Sequence, residues 1–202
     1  MKKERVGYFG GTFDPPHLGH IILARETQFH LGLDAFWWIL TPDPPHKKSR
    51  ILTPVKQRLE MINLIVEEYG KFAICDVDLN RDPPHYAADT VEILKKQNPS
   101  MELVYIIGED SLQDLPEWHD PSRFLDIVDQ LAIVPRPRIA TTMEELEKML
   151  PGISSKVVFI PNVMLEISSS VIRERVRDGN PYEHFLTVSV SDYIRSNDLY
   201  CP

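Results

Sequence analysis

The sequence contains little cysteine, no long apolar run and no excess of positive charge. Its two cysteines are Cys75, in a predicted strand, and Cys201 near the C-terminus, so we expect no disulfide framework. No apolar stretch reaches the roughly 18 residues of a membrane-spanning helix. No apolar run of signal-peptide length follows the N-terminal residues Met1 to Arg5. These absences argue against a secreted disulfide-rich domain and against a membrane protein, and we expect a cytoplasmic protein.

The balance of charge is acidic, with 22 Lys and Arg against 30 Asp and Glu and a formal net charge of −8. Such a chain has no overall positive field for gripping DNA or RNA, and we expect no nucleic-acid partner. Any bound nucleotide must therefore be held by local cationic groups. The 202 residues, 43% of them hydrophobic, suit a single domain over residues 1–202.

Short apolar runs alternate with longer segments of helical period along the chain. Such alternation implies strand–helix–strand crossovers, and hence an α/β fold with a doubly wound parallel sheet and helices on both faces. The predicted strands are Arg5–Phe9, Ala35–Leu40, Phe72–Cys75, Glu102–Ile107, Gln130–Val134 and Lys156–Ile160. The predicted helices are Leu18–Leu31, Pro54–Tyr69, Ala88–Lys96, Thr141–Leu150, Ser169–Arg177 and Val190–Ser196.

The most informative segment follows the first predicted strand. It reads Gly10-Gly11-Thr12-Phe13-Asp14-Pro15-Pro16-His17-Leu18-Gly19-His20. The glycines allow a tight turn, and the prolines deny the loop a helix, so the next helix is expected to begin near Leu18. His17 then precedes the first helical turn and His20 lies within it. A helix N-terminus favours phosphate, and two imidazoles there could neutralise charge that develops on a transferring phosphoryl group.

A second segment with phosphate-binding character lies near the C-terminus. It reads Ile167-Ser168-Ser169-Ser170-Val171-Ile172-Arg173. Serines at a helix start can cap the helix and bond phosphate oxygens, and an arginine one turn later can fork onto a polyphosphate. In isolation the same residues would describe an ordinary capped helix with surface Arg–Glu pairs.

Three further loops follow predicted strands and carry polar or aromatic groups. The first, after strand two, begins a positive patch of Lys47, Lys48, Arg50, Lys56 and Arg58, which either captures a phosphorylated ligand or is a solvated charge run. The second loop, residues 81–86, follows the third predicted strand, and its Tyr86 either contacts a ligand or packs over the start of the next helix.

The third loop contains Gly108, Glu109, Asp110 and Trp118. Gly108 allows close approach of a ligand, and Asp110 can accept hydrogen bonds from sugar hydroxyls. Trp118 offers either a stacking face or a core anchor. Glu109 and Asp110 are alternatively metal ligands, although no His/Cys/Asp spacing nearby suggests a protein-only cage.

The first segment resembles the T/HxGH signature of the nucleotidyltransferase superfamily, most closely its bacterial nicotinate-mononucleotide adenylyltransferase branch, and the serine–arginine segment resembles the second half of that signature. The resemblance implies a Rossmann-like fold and transfer of AMP from ATP to nicotinate mononucleotide. It implies catalysis by His17, His20 and Arg173, with Mg²⁺ carried by ATP rather than by a protein site. The implied ATP-binding residues are Gly10, Gly11, Thr12, Phe13, His17, His20, Gly108, Asp110, Ser168, Ser169 and Arg173, and the implied acceptor-binding residues are Lys47, Tyr86, Ala87 and Trp118.

One position departs from the family pattern. The family has a threonine whose hydroxyl helps to hold the pyridine carboxylate, and Ala87 stands there in this chain. The preference for an acid acceptor over an amide acceptor is therefore expected to be smaller than a threonine at this position would give. Nicotinamide mononucleotide remains an alternative acceptor, and a nucleotide-sensing module without turnover remains an alternative function. The oligomeric state is left open.

Overall fold

The computed structural model describes residues 3–44, 52–136, 141–161 and 166–202. Within these ranges it contains six strands and eight α-helices, with short 3₁₀ turns at Leu115–Glu117, Ile153–Ser155 and Glu183–Phe185. The strands are β1 (Arg5–Gly11), β2 (Ala35–Leu40), β3 (Phe72–Ile74), β4 (Glu102–Gly108), β5 (Gln130–Val134) and β6 (Val157–Phe159). The helices are α1 (Leu18–Leu31), α2 (Val55–Glu68), α3 (Ala87–Gln97), α4 (Glu109–Asp114), α5 (Pro121–Ile127), α6 (Met143–Met149), α7 (Ser169–Arg177) and α8 (Val188–Ser196).

The strands form one sheet in the order β3-β2-β1-β4-β5-β6, with every neighbouring pair parallel. The strand order reverses between β1 and β4, which lie side by side although β2 and β3 separate them in sequence. In such sheets a crevice opens outside the carboxyl ends of the strands at this reversal, and ligands bind there. The predicted Rossmann-like α/β class is confirmed.

Both faces of the sheet are covered, which explains why its strands read as nearly continuous apolar runs. Phe36 and Trp38 of β2 point to one face, where they pack with residues of α1, α2, α7 and α8. Ile39 of the same strand points to the other face, with residues of α3, α4, α5 and α6. The two buried clusters fix the sheet rigidly, so its carboxyl edge is a stable platform for loops.

The predicted boundaries agree with the structure within two residues for all twelve predicted elements. The sequence did not predict α4 and α5, which have six and seven residues. An apolar period is hard to read in so short a helix, and α6, also of seven residues, is indicated by its run of Glu and Lys residues instead. In the part of the chain that the structure describes, no helix is long and apolar enough to cross a membrane.

Candidate active site

The loop between β1 and α1 (residues 12–17) leads directly to the predicted histidine pair. His17 is the N-cap residue of α1, with extended backbone, and the helix begins at Leu18 as predicted. The His17 carbonyl accepts the first helical bond from the backbone N–H of His20 at 2.9 Å. Because this loop leaves β1 at the reversal of strand order, the N-terminus of α1 faces the crevice.

The two imidazoles stack on each other, with ring centroids 3.7 Å apart and an interplanar angle of 20°. The backbone N–H of His17 donates to Nδ1 of His20 at 3.1 Å, so neutral His20 has its proton on Nε2. A Cβ on Gly19 would lie 3.0 Å from the His17 ring, so the glycine of this motif makes room for the stacked pair. The pair is therefore held in one orientation by the loop itself.

Burial sets the charge of the His17 imidazole. Its side chain is buried, with 4% of the residue exposed, and burial together with the nearby Arg136 cation lowers its pKa to about 3. The imidazole is therefore neutral at physiological pH in the free protein. Its Nδ1 has no hydrogen-bond partner among the described residues. His17 thus presents a neutral polar group in the free protein.

The serine–arginine segment docks on the same loop, although 154 to 159 residues separate the contacting residues in sequence. Ser169 at the start of α7 donates its hydroxyl to the carbonyl of Pro15 at 2.8 Å. The Arg173 guanidinium donates to the carbonyl of Asp14 and to Oγ of Ser170. Ser168 is the N-cap of α7 and accepts from the backbone N–H of residue 171 at 3.3 Å. The structure therefore brings the two halves of the predicted signature together.

Arg58 is a part of this site that the sequence interpretation placed wrongly. The sequence analysis places it in the positive patch, but only 1% of the residue is exposed, so its side chain cannot bind a ligand at the surface. Its guanidinium donates to four backbone carbonyls, those of Thr12 at 2.9 Å, Thr41 at 3.0 Å, Pro42 at 2.8 Å and Thr53 at 2.8 Å. Arg58 precedes Met61, Ile62 and Ile65 by three, four and seven residues, which places it on the buried face of α2. That spacing was a signal of its burial.

The loop after β4 begins at the other side of the strand-order reversal. Gly108 is the N-cap of α4, and a Cβ there would lie 2.2 Å from Oδ1 of Asp110. Asp110 is exposed and lies 3.7 Å from Nε of Arg136, so its carboxylate remains accessible to a ligand. Glu109 is buried and accepts backbone bonds from Arg136 at 3.2 Å and Thr141 at 3.1 Å. The Glu109 carboxylate therefore binds the backbone of the segment after β5. Because both of its oxygens accept these bonds, the structure favours this structural role over the alternative role of a metal ligand.

The aromatic residues of the predicted acceptor site lie between α3 and α5. Tyr86 is the N-cap of α3, and its ring stacks on His119 with centroids 3.9 Å apart. Trp118 is half-buried against Phe124 and Tyr105, with ring centroids 5.4 and 6.2 Å away. The tryptophan thus makes the predicted core contact, and stacking of its exposed part on a ligand remains a prediction. Sequence reasoning missed His119, because a single histidine in a loop carries no pattern.

Tyr105 links these aromatics to the first loop. Its hydroxyl lies 3.6 Å from the position that a Cβ on Gly10 would occupy, at the carboxyl end of β1. Phe13 is 2% exposed and its ring packs against His20 and Trp38, so a nucleotide would meet its backbone rather than its ring. Ala87 is the first residue of α3. Lys47 lies outside the described residues.

The chain is similar to known proteins over its whole length. The cytidylyltransferase-like family matches residues 8–175. A protein of Dehalococcoides mccartyi named probable nicotinate-nucleotide adenylyltransferase is 37% identical over 205 residues, covering 100% of this chain and 99% of the relative. The nicotinate-nucleotide adenylyltransferase of Bacillus subtilis is 34% identical over 197 residues, covering 98% of each chain.

Solved structures share the fold. The Plasmodium falciparum nicotinic acid mononucleotide adenylyltransferase complexed with NaAD superposes with a TM-score of 0.80 over 98% of this chain and 97% of that one, at 19% identity. The same enzyme complexed with APC gives a TM-score of 0.77 over the same shares of both chains, at 20% identity.

Proposed function

The chain belongs to the nicotinate-nucleotide adenylyltransferase family, within the cytidylyltransferase-like group, and we propose that it transfers AMP from ATP to nicotinate mononucleotide. The products are deamido-NAD and pyrophosphate, a step in NAD biosynthesis. The observation that carries the proposal is the junction at the β1–α1 loop. There the stacked histidines meet Ser169 and Arg173, which arrive from the far end of the chain.

The reaction needs positioning and stabilisation of charge more than covalent chemistry by the protein. An oxygen of the acceptor's phosphate attacks the α-phosphorus of ATP and forms a new P–O bond. The bond from the α-phosphorus to the bridging oxygen breaks, and pyrophosphate leaves with the electron pair. Because the attacking phosphate is already anionic, no side chain is required as a general base.

His17 and His20 act as oriented polar groups at the N-terminus of α1. In our proposal the triphosphate lies against the backbone N–H groups of this helix, with Gly10, Gly11, Thr12 and Phe13 contributing the turn. In the proposed complex Nε2–H of His20 donates to a phosphate oxygen, while Nδ1 accepts from the backbone N–H of His17. The negative triphosphate would raise the pKa of His17 from its value of about 3 in the free protein.

Arg173, Ser168 and Ser169 would stabilise the charge on the leaving phosphates from the α7 side. In the free protein Arg173 is half-buried and already bonded to the β1–α1 loop, so it needs little reorganisation to reach a ligand held there. Gly108 and Asp110 would hold the adenosine part, because Asp110 is exposed beside the crevice.

The acceptor is proposed to lie between Trp118 and the start of α3. Trp118 would stack on the pyridine ring, and Tyr86 would flank it. Ala87 is the first residue of α3, whose first-turn N–H groups can donate to a carboxylate although Ala87 has no hydroxyl. Lys47 is proposed to bind the acceptor's phosphate.

Mg²⁺ is proposed to enter as part of the MgATP substrate. Within the described ranges no group of three or more His, Cys, Asp or Glu side chains is arranged to hold a metal. The phosphates of ATP and water molecules would then supply most of the ligands, as is usual for this ion. We further propose that residues 1–202 act as one domain.

The test is release of pyrophosphate from MgATP with nicotinate mononucleotide, nicotinamide mononucleotide and phosphopantetheine assayed in parallel. We expect the highest kcat/KM with nicotinate mononucleotide. His17→Ala and His20→Ala should each lose most turnover while retaining wild-type circular dichroism. Preference for the amide would overturn the substrate assignment. Binding of ATP without turnover on any acceptor would favour a nucleotide-sensing module, and near-normal rates from either histidine variant would remove the catalytic assignment.

A further inference from the structure

The C-terminal segment reaches the β1–α1 loop through a single side chain. The hydroxyl of Tyr200 donates to Oδ1 of Asp14 at 2.9 Å, across 186 residues of sequence. Asp14 is 3% exposed, and its other oxygen, Oδ2, has no hydrogen-bond partner among the described residues. A buried carboxylate with so few donors depends strongly on each one that it has. The Tyr200 hydroxyl is therefore an important contact for Asp14.

The backbone after α8 adopts unusual conformations to bring Tyr200 to this place. Asp198 has a φ of 48° and Tyr200 a φ of 66°, both in the left-handed region that non-glycine residues seldom occupy. Between them Leu199 is 8% exposed in the core, and its backbone N–H donates to the carbonyl of Ile194 at 3.0 Å. Outliers of this kind persist where the surrounding structure imposes them and are a reason to look for a functional role.

Three other side chains bind backbone carbonyls of the loop that receives Tyr200. Arg58 binds the carbonyl of Thr12, Arg173 binds that of Asp14, and Ser169 binds that of Pro15. Tyr200 bonds instead to a side chain of the loop, that of Asp14, and the Phe13 ring adds packing against His20 and Trp38. Asp14 lies three residues before His17, so loss of the bond that anchors its side chain would let the backbone of the segment that presents both imidazoles shift.

We propose that Tyr200 is a positioning residue for adenylyl transfer, because its bond to Asp14 holds the loop that places His17 and His20 at the α-phosphate. The role assigned to the histidines rests on the proposed function. The bond between Tyr200 and Asp14 and its effect on the orientation of the two imidazole rings are independent of the proposed function. A misplacement of about 1 Å in such a group can lower a rate by about a hundredfold.

Tyr193 offers a matched control on the same C-terminal segment. Its hydroxyl also donates to a carboxylate, that of Glu60 on α2, and its ring also packs against the core. Tyr200→Phe and Tyr193→Phe therefore remove the same chemical group and the same type of bond. We expect Tyr200→Phe to lower kcat about tenfold or more with a smaller change in KM, and Tyr193→Phe to leave kcat within about twofold of wild type.

Two further readouts separate positioning from simple stability. In ¹H–¹³C NMR spectra without substrates, Tyr200→Phe should shift the ring resonances of His17 and His20, and Tyr193→Phe should leave them unchanged. In a double-mutant cycle on kcat, Tyr200→Phe should have almost no further effect in an Asp14→Ala background. The NMR arm tests the positioning even if wild-type protein shows no adenylyl transfer, so it distinguishes failure of this inference from failure of the proposed function.

Wild-type histidine resonances in Tyr200→Phe, or an equal fall in kcat in both Asp14 backgrounds, would overturn the inference and leave Tyr200 with a structural role. Should Tyr200→Phe fail to fold, Asp14→Asn and Asp14→Ala test the same bond. Asparagine retains an acceptor oxygen for the Tyr200 hydroxyl, so Asp14→Asn should retain kcat within about threefold of wild type. Equal losses in the two Asp14 variants would contradict the inference.

Discussion

Lowering the pH from about 7 to about 5 should destabilise this protein through the buried imidazole of His17. The pKa of His17 is about 3 in the folded protein and about 6.5 in an unfolded chain. Below pH 6.5 the unfolded chain therefore binds a proton that the native protein does not bind. The contribution to stability is fully present above pH 6.5, and it is lost progressively as the pH falls towards 3. At about pH 5 the loss amounts to about 2 kcal/mol, from 1.5 pH units at about 1.36 kcal/mol each.

Urea unfolding at about pH 7 and about pH 5 measures this effect when wild type is compared with His17→Gln. All other groups titrate in both proteins, so the difference between their pH dependences isolates His17. We expect wild type to lose about 2 kcal/mol more than His17→Gln over this interval. His184→Gln is the matched control, because His184 is exposed and should leave the wild-type pH dependence unchanged. Equal losses of stability in wild type and His17→Gln would refute the reasoning, since His17 would then take up its proton in the folded protein.

Three other perturbations test separate parts of the site. Arg173→Ala should weaken the use of ATP and raise the KM for ATP, whereas Lys47→Ala should weaken capture of the acceptor and raise the KM for the acceptor. A rise of the same KM in both variants would contradict this division of the site. Ala87→Thr adds a hydroxyl near the proposed position of the acceptor's carboxylate, and a hydrogen bond from it is worth about 0.5–1.5 kcal/mol. The ratio of kcat/KM for nicotinate mononucleotide to that for nicotinamide mononucleotide should therefore rise. An unchanged ratio would show that residue 87 does not face the carboxylate. Arg58→Met should destabilise the fold by about 3–5 kcal/mol in urea unfolding, because buried carbonyls lose their donor. The exposed Lys56→Met should stay within about 0.5 kcal/mol of wild type, and a similarly small effect at Arg58 would mean that its four bonds contribute little.

The elements of the sheet and the start of α1 could be predicted from the sequence because local physics decides them. Proline in the β1–α1 loop excludes helix there, so α1 begins at Leu18. Apolar, β-branched runs are typical of strands buried on both faces of a parallel sheet, and their alternation with helices indicates parallel crossovers. The helices α4 and α5 were not predicted, since six or seven residues without a charged run like that of α6 give too little period.

By itself, then, the sequence determined the α/β class, the carboxyl-edge position of the loops and the two segments that are predicted to bind phosphate. Only the tertiary structure decided what several of those residues do. Burial makes the imidazole of His17 neutral. The Arg58 guanidinium is buried, and it holds separate segments together through four backbone carbonyls. Tyr200 reaches Asp14 across 186 residues. Dielectric environment and contacts between distant segments exist only after the chain has folded, and no local pattern of residues encodes them.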